Sequence, residues 1–136
     1  MIRAVVDTHG LVSGFLSPSG APGRILDWLR AGTVVAVLDE RILAEYAEVL
    51  ARPAFHLAAA DADIVLDSIS SRAEWADVGP KDGLTLPDPD DAPFAECAHA
   101  ADVPLVTGNQ RHFPRTACRG VSVLTPAQFV VLAATL

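Results

Sequence analysis

The chain has 136 residues, 51% of them hydrophobic, with 17 acidic against 10 basic side chains and a net charge of −7. That length and apolar content suit one domain with a sizeable core and exclude a globally disordered chain. The acid excess counts against a duplex binder with a basic face, but not against an enzyme that meets phosphates through metal ions held by carboxylates.

In chain order, Ile2–Val6 (IRAVV) predicts a buried strand that ends on Asp7, with Thr8 and His9 as a polar tip and Gly10 turning the chain. A short apolar segment and the turn residues Ser17–Gly23 follow, and then RILDWLRAG predicts a helix closed by Gly32. Thr33–Leu38 (TVVAVL) is a second buried strand, too short for a helix of its own. It leads into a helix over Glu40–Ala51, where Ile42, Leu43, Tyr46, Val49 and Leu50 recur at helical spacing and Pro53 stops the pattern. Asp61–Ala76 is a further amphipathic segment, with Ile64, Val65, Ile69 and Ala73 facing inward. Gly79–Pro93 is the most loop-like stretch. A helix over Ala92–Ala101 follows, then strands over Pro104–Thr107 and Val121–Leu124. The capping box Thr125-Pro126-Ala127-Gln128 opens the last helix.

Short apolar strands alternating with helices predict an α/β sandwich with a mostly parallel sheet, built as one domain over residues 1–136. Cys97 and Cys118 are too few for a disulfide framework and fit no zinc spacing, so reduced, packed thiols are expected. The first apolar run is too short for a signal-peptide core, and no stretch reaches membrane-spanning length, so a cytoplasmic location is expected.

In a parallel α/β sheet the functional crevice lies beyond the carboxyl ends of the strands. Asp7 and Asn109 each stand just after a strand. Glu45 lies about 100° from the centre of its helix's apolar stripe, on the flank from which a carboxylate reaches over the sheet edge; Glu48 lies on the opposite, solvated face. Asp88, Asp90 and Asp91 crowd the start of the Ala92–Ala101 helix, more carboxylates than a cap needs. Each site alone reads equally well as a cap, turn or boundary residue. Together they are what a hard divalent cation requires, oxygen ligands converging from separate elements. No Gly-rich phosphate loop, GxSxG elbow or Cys/His nucleophile pair occurs. His56, His99 and His112 fall near no such constellation and are expected at surface or boundary positions.

Four segments in order, VVDTHGLVSGFLSPSGAPGRILDWL, LDERILAEYAEVLARPAF, LPDPDDAPFAECAHAADVPLVTGNQRHFP and GVSVLTPAQF, resemble PIN-domain proteins of the VapC-like toxin group. The resemblance covers most of the chain and is weakest over His56–Asp82. It implies a Rossmann-like three-layer α/β/α fold with a five-stranded sheet. It also implies Mg²⁺- or Mn²⁺-dependent endoribonuclease activity, a cognate antitoxin and a homodimer. Position by position, Asp7, Glu45 and Asp91 match the three metal-holding acids and Asn109 the fourth catalytic place, with Thr8, His9, Asp88, Asp90 and Thr107 around them. His9 stands where the family usually has Asn, open to three roles: supporting the first Asp, weakening it, or adding a ligand. Arg24, Arg111 and Arg115, with Arg119, are candidate RNA contacts. The competing expectation is a weakly active or inactive PIN module that binds RNA or an antitoxin.

Overall fold

A computed structural model describes residues 2–135 of the protein. Its centre is a parallel five-stranded sheet in the order β3-β2-β1-β4-β5. The strands are β1 (Ile2–Val6), β2 (Val34–Leu38), β3 (Glu74–Trp75), β4 (Leu105–Val106) and β5 (Val123–Leu124). β1 pairs with β2 in the register Ile2 to Val34 and with β4 in the register Val5 to Leu105. Both its neighbours are therefore reached by crossovers, and the strand order reverses between β1 and β4. That switch point is where α/β sheets open a crevice.

The helices are α1 (Thr8–Leu16), α2 (Ala21–Ala31), α3 (Glu40–Leu50), α4 (Ala59–Arg72), α5 (Ala92–Ala101) and α6 (Pro126–Ala134). They form the outer layers of the α/β/α sandwich, α2 packing on α6 and α3 on α5. The core runs through β1 and β2, where Val5, Val37 and Leu38 are fully buried, out to Phe129 on α6. Local chemistry sets most ends. Gly32 closes α2 at φ 78°, a left-handed conformation that suits glycine. Gly23, in the first turn of α2, packs against the link from α1, where a Cβ on it would come within 2.2 Å of the Pro18 carbonyl oxygen. At α6 the Thr125 hydroxyl accepts from Gln128 N–H, while the Gln128 side chain accepts from Thr125 N–H. Such a cap contributes about 1 kcal/mol.

Five expectations need correction. The turn expected over Ser17–Gly23 ends at Gly20, because α2 starts at Ala21 with Pro22 in its first turn. Gly10 does not turn the chain away from β1; α1 starts at Thr8, because Asp7 caps it by accepting the Gly10 N–H. Asp61–Ala76 is not one amphipathic helix: α4 stops at Arg72 and Glu74–Trp75 form the edge strand β3. Ile64 is 63% exposed rather than inward. The buried stripe of α4 is Ala62, Val65, Leu66 and Ile69, and Ile64 points about 150° away from its centre at 100° per residue. The Gly79–Pro93 loop also contains two 3-10 turns, Pro80–Asp82 and Pro89–Asp91. Cys97 and Cys118 are both buried and free, and burial with Asp39 nearby pushes the Cys97 thiol up to about 12, consistent with packed, unreactive thiols. Among the described residues no helix is long and apolar enough to cross a membrane.

Candidate active site

The crevice at the switch point is a cavity of about 430 Å³. Asp7, Thr8 and His9 reach it from the end of β1 and the first turn of α1, Glu45 from α3, and Asp88, Asp90 and Asp91 from the start of α5. Asp7 is placed by main-chain geometry. Its N–H still continues the ladder to Val106 O at 3.0 Å, and its side chain then turns inward to cap α1. Oδ1 accepts from Gly10 N–H at 2.7 Å and Oδ2 from the Thr107 hydroxyl at 2.5 Å. Thr107 Oγ1 in turn accepts the Asn109 N–H at 3.0 Å, which ties the Asn109 backbone to the same network.

Glu45 accepts a hydrogen bond from the Thr8 hydroxyl, whereas Glu48 points to solvent and pairs with Arg52 at 3.1 Å. Beneath both acids lies Tyr46, wholly buried, donating its hydroxyl to the Val6 carbonyl oxygen. Burial raises its pKa, and the charges of Asp7 and Glu45 raise it further, so it stays a neutral donor. Asp91 is positioned by the 3-10 turn that Asp88 caps, and Phe94, three residues on, anchors that turn in the core.

Asp7 is only 5% exposed, and burial pushes its carboxyl up against the opposing pull of the Thr107 and Gly10 hydrogen bonds. Burial raises Asp91 too; His112 opposes the rise, while the negative charges of Asp88, Asp7 and Glu45 add to it. Asp91 Oδ2 is buried with no hydrogen-bond partner, and His112 Nδ1 lies 3.2 Å from it without forming one. His112 therefore belongs to the site, contrary to its expected boundary role. His99 likewise has a partner, Asp82 Oδ1 at 2.7 Å, away from the crevice.

The predicted basic residues are not brought together. Arg24 lies over the Trp28 ring at 5.8 Å, Arg115 lines a separate cavity with Gln110 and Gln128, and Arg111 is exposed on the 3-10 turn Gln110–His112. Arg119 donates to the Gly83 carbonyl at 2.6 Å. The arginine that does line the crevice is Arg52, which sequence reasoning missed. Its signal was present as helix spacing, seven residues after Glu45 and three after Val49.

The donor set is oxygen-rich and drawn from separate elements, which suits a hard divalent cation. Among the described residues no three His, Cys, Asp or Glu side chains form a ready metal cage. One or two carboxylates with retained waters are the usual way of holding Mg²⁺, and the orphaned Asp91 oxygen fits such an ion.

A family model for the PIN domain matches residues 3–111, which include Asp7, Glu45, Asp91 and Asn109. The chain belongs to the PIN-domain family. PIN domains are generally nucleases and typically use a divalent metal. Among solved structures, the PIN domain here is similar to a chain in the crystal structure of VapBC2 from Rickettsia felis bound to a DNA fragment from their promoter. The TM-score is 0.61 at 18% identity, covering 91% of this chain and 98% of that one. It is also similar to PAE2754 from Pyrobaculum aerophilum, with TM-score 0.59 and 16% identity over 99% of this chain and 91% of that one. No curated protein matches the chain.

Proposed function

We propose that this PIN domain, spanning residues 1–136, is a VapC-like endoribonuclease toxin that hydrolyses RNA phosphodiester bonds with Mg²⁺ or Mn²⁺. The observation that carries the reading is Asp91 Oδ2, a buried carboxylate oxygen without a hydrogen-bond partner in the same cavity as Asp7 and Glu45. Such an oxygen is costly to bury unless a cation completes it. Asp7, Glu45 and Asp91 would hold the ion. When bound, it supplies a water of lowered pKa and offsets the charge that builds on the phosphate.

The chain's own residues supply the positioning. Gly10 N–H and Thr107 fix both oxygens of Asp7, and Thr8 restrains Glu45. Asn109, whose N–H is tied to Thr107 beside Asp7, would orient a ligand or water, Asp88 caps the turn that carries Asp91, and Asp90 adds a further carboxylate to the cavity. Arg24, Arg111 and Arg115 would meet phosphates further along the strand. Cytoplasmic action, a cognate antitoxin and a homodimer belong to the same reading, and the likeness to VapBC2 supports the antitoxin.

The test is cleavage of single-stranded RNA in Mg²⁺ or Mn²⁺ by wild type, Asp91→Ala and His9→Asn. Wild type is expected to cut, with activity lost in Asp91→Ala and on adding EDTA. One observation favours a second reading, a PIN module that binds RNA or antitoxin without cutting: His9 stands exposed at the crevice where the family usually has Asn. An inert wild type beside an active His9→Asn variant selects that second reading.

A further inference from the structure

Part of the crevice wall is apolar and takes no part in holding a cation. Val12 and Leu16 of α1, Val49 of α3, and Phe55 of the 3-10 turn Pro53–Phe55 line the same cavity as Asp91. Leu16 is 53% exposed, and Phe55 packs one side on the core while remaining half-buried, so two large apolar side chains keep surface at the cavity mouth. Glu45, Val49 and Arg52 follow at four- and three-residue spacing, one helix face. The Arg52 N–H donates to Val49 O at 3.1 Å, which carries the turn past the end of α3. This face runs from carboxylate through an apolar strip to a guanidinium over about 10 Å of rise.

Arg52 is not committed elsewhere. Its pairing with Glu48 joins side chains that are 54% and 67% exposed, and such surface pairs exchange readily for another anion. Next to Phe55, His56 sits in the left-handed region at φ 52° and donates its N–H to Pro53 O at 3.1 Å, folding the chain back so that Phe55 faces the crevice.

We infer that Phe55 and Arg52 form a nucleotide subsite beside the scissile phosphate, where one nucleobase of the RNA stacks on the Phe55 ring and Arg52 takes the next phosphate. The inference rests on the ribonuclease reading and adds to it the residues that position substrate. The order of chemistry along the wall is cation-binding acids, apolar surface, guanidinium. It repeats the order phosphate, base, phosphate along a single strand. A volume of about 430 Å³ lies in the range of sites that enclose a small ligand. Every base has a stackable face, but in a duplex that face is already covered, so the subsite selects unpaired RNA over paired RNA and discriminates little among bases.

The test measures steady-state cleavage of a labelled single-stranded oligoadenylate in Mg²⁺, with an abasic ribose-phosphate oligomer of equal length as competitor. Phe55→Ala is expected to raise KM roughly tenfold with little change in kcat. Phe55→Trp retains the wild-type KM. The abasic competitor inhibits wild type and Phe55→Ala equally, since it has no base to stack, and inhibits Arg52→Gln less. Thermal midpoints of the variants near that of wild type keep the comparison one of binding. A wild type that cuts, with Phe55→Ala unchanged in KM or weakened equally towards the abasic competitor, overturns the subsite alone. A wild type that neither cuts nor is protected from unfolding by the oligomer overturns the ribonuclease reading and the subsite together.

Discussion

Thr107 donates its hydroxyl to Asp7 Oδ2 at 2.5 Å, a bond between residues 100 positions apart that closes the switch point of the sheet. The same hydroxyl oxygen accepts the Asn109 N–H, so one side chain ties the end of β4 to both the principal acid and the following turn. Thr107→Val keeps the shape but leaves Asp7 Oδ2 and the Asn109 N–H without this partner. It is expected to lower stability by about 1–3 kcal/mol and to reduce RNA cleavage, while Thr107→Ser retains most of both. Urea unfolding followed by circular dichroism checks the first part. A valine variant as stable and as active as wild type would remove Thr107 from the site.

Asp7 is expected to trade stability for function. Burial raises its carboxyl above the ordinary value, so the folded protein binds this proton more tightly than the unfolded chain. The ionised group therefore lowers stability at neutral pH. That penalty shrinks as pH falls through the raised folded value and is gone below the unfolded value of about 3.9. Asn at this position can still accept from Gly10 and meet Thr107. Asp7→Asn should thus melt above wild type in EDTA at neutral pH, yet lose cleavage. Adding Mn²⁺ should stabilise wild type by about 2.7 kcal/mol at a hundredfold excess over Kd and leave Asp7→Asn unmoved. Scanning calorimetry with and without metal decides it; an Asp7→Asn protein that melts lower in EDTA contradicts the sign.

His112 should set the acid limb of activity. Burial raises the Asp91 carboxyl and the neighbouring His112 opposes the rise. Removing the imidazole in His112→Ala lets Asp91 hold its proton to higher pH, so the acid limb of the kcat/KM profile moves upward. A limb that stays in place, or moves down, shows that Asp91 ionisation does not depend on this neighbour.

Away from the site, Asp82 is a source of acid lability. The Gly79 N–H first, and then the His99 ring, hold this buried carboxylate below its ordinary range. A depressed folded value gives stability that is present above the unfolded value of about 3.9 and is lost as pH falls through the folded one. Asp82→Asn is therefore expected to lower the melting temperature near neutral pH and to converge on wild type in strong acid. Parallel melting curves at every pH would mean that the bond to Gly79, not the charge, carries the effect.

Local chemistry made much of the protein legible. Apolar spacing and caps marked Ala92–Ala101 as a helix with the bounds it has, the Thr125 capping box as the start of α6, and Ile2–Val6 as a strand. The same 100° arithmetic separated Glu45, which reaches the crevice, from Glu48, which does not. Those properties depend on residues within a turn or two of each other. Partnerships between distant elements carry no such period. The strand Glu74–Trp75 exists because β2 offers it a free edge, and its own two residues show no apolar run. Arg52 faces the crevice through a turn that continues beyond α3, and His112 meets Asp91 only after β4 has paired beside β1. The sequence determined the helices over Glu40–Leu50, Ala92–Ala101 and Pro126–Ala134 and which acids face inward. Only the packed sheet decided what those acids touch, because burial and hydrogen-bond partners come from neighbours that chain order does not place together.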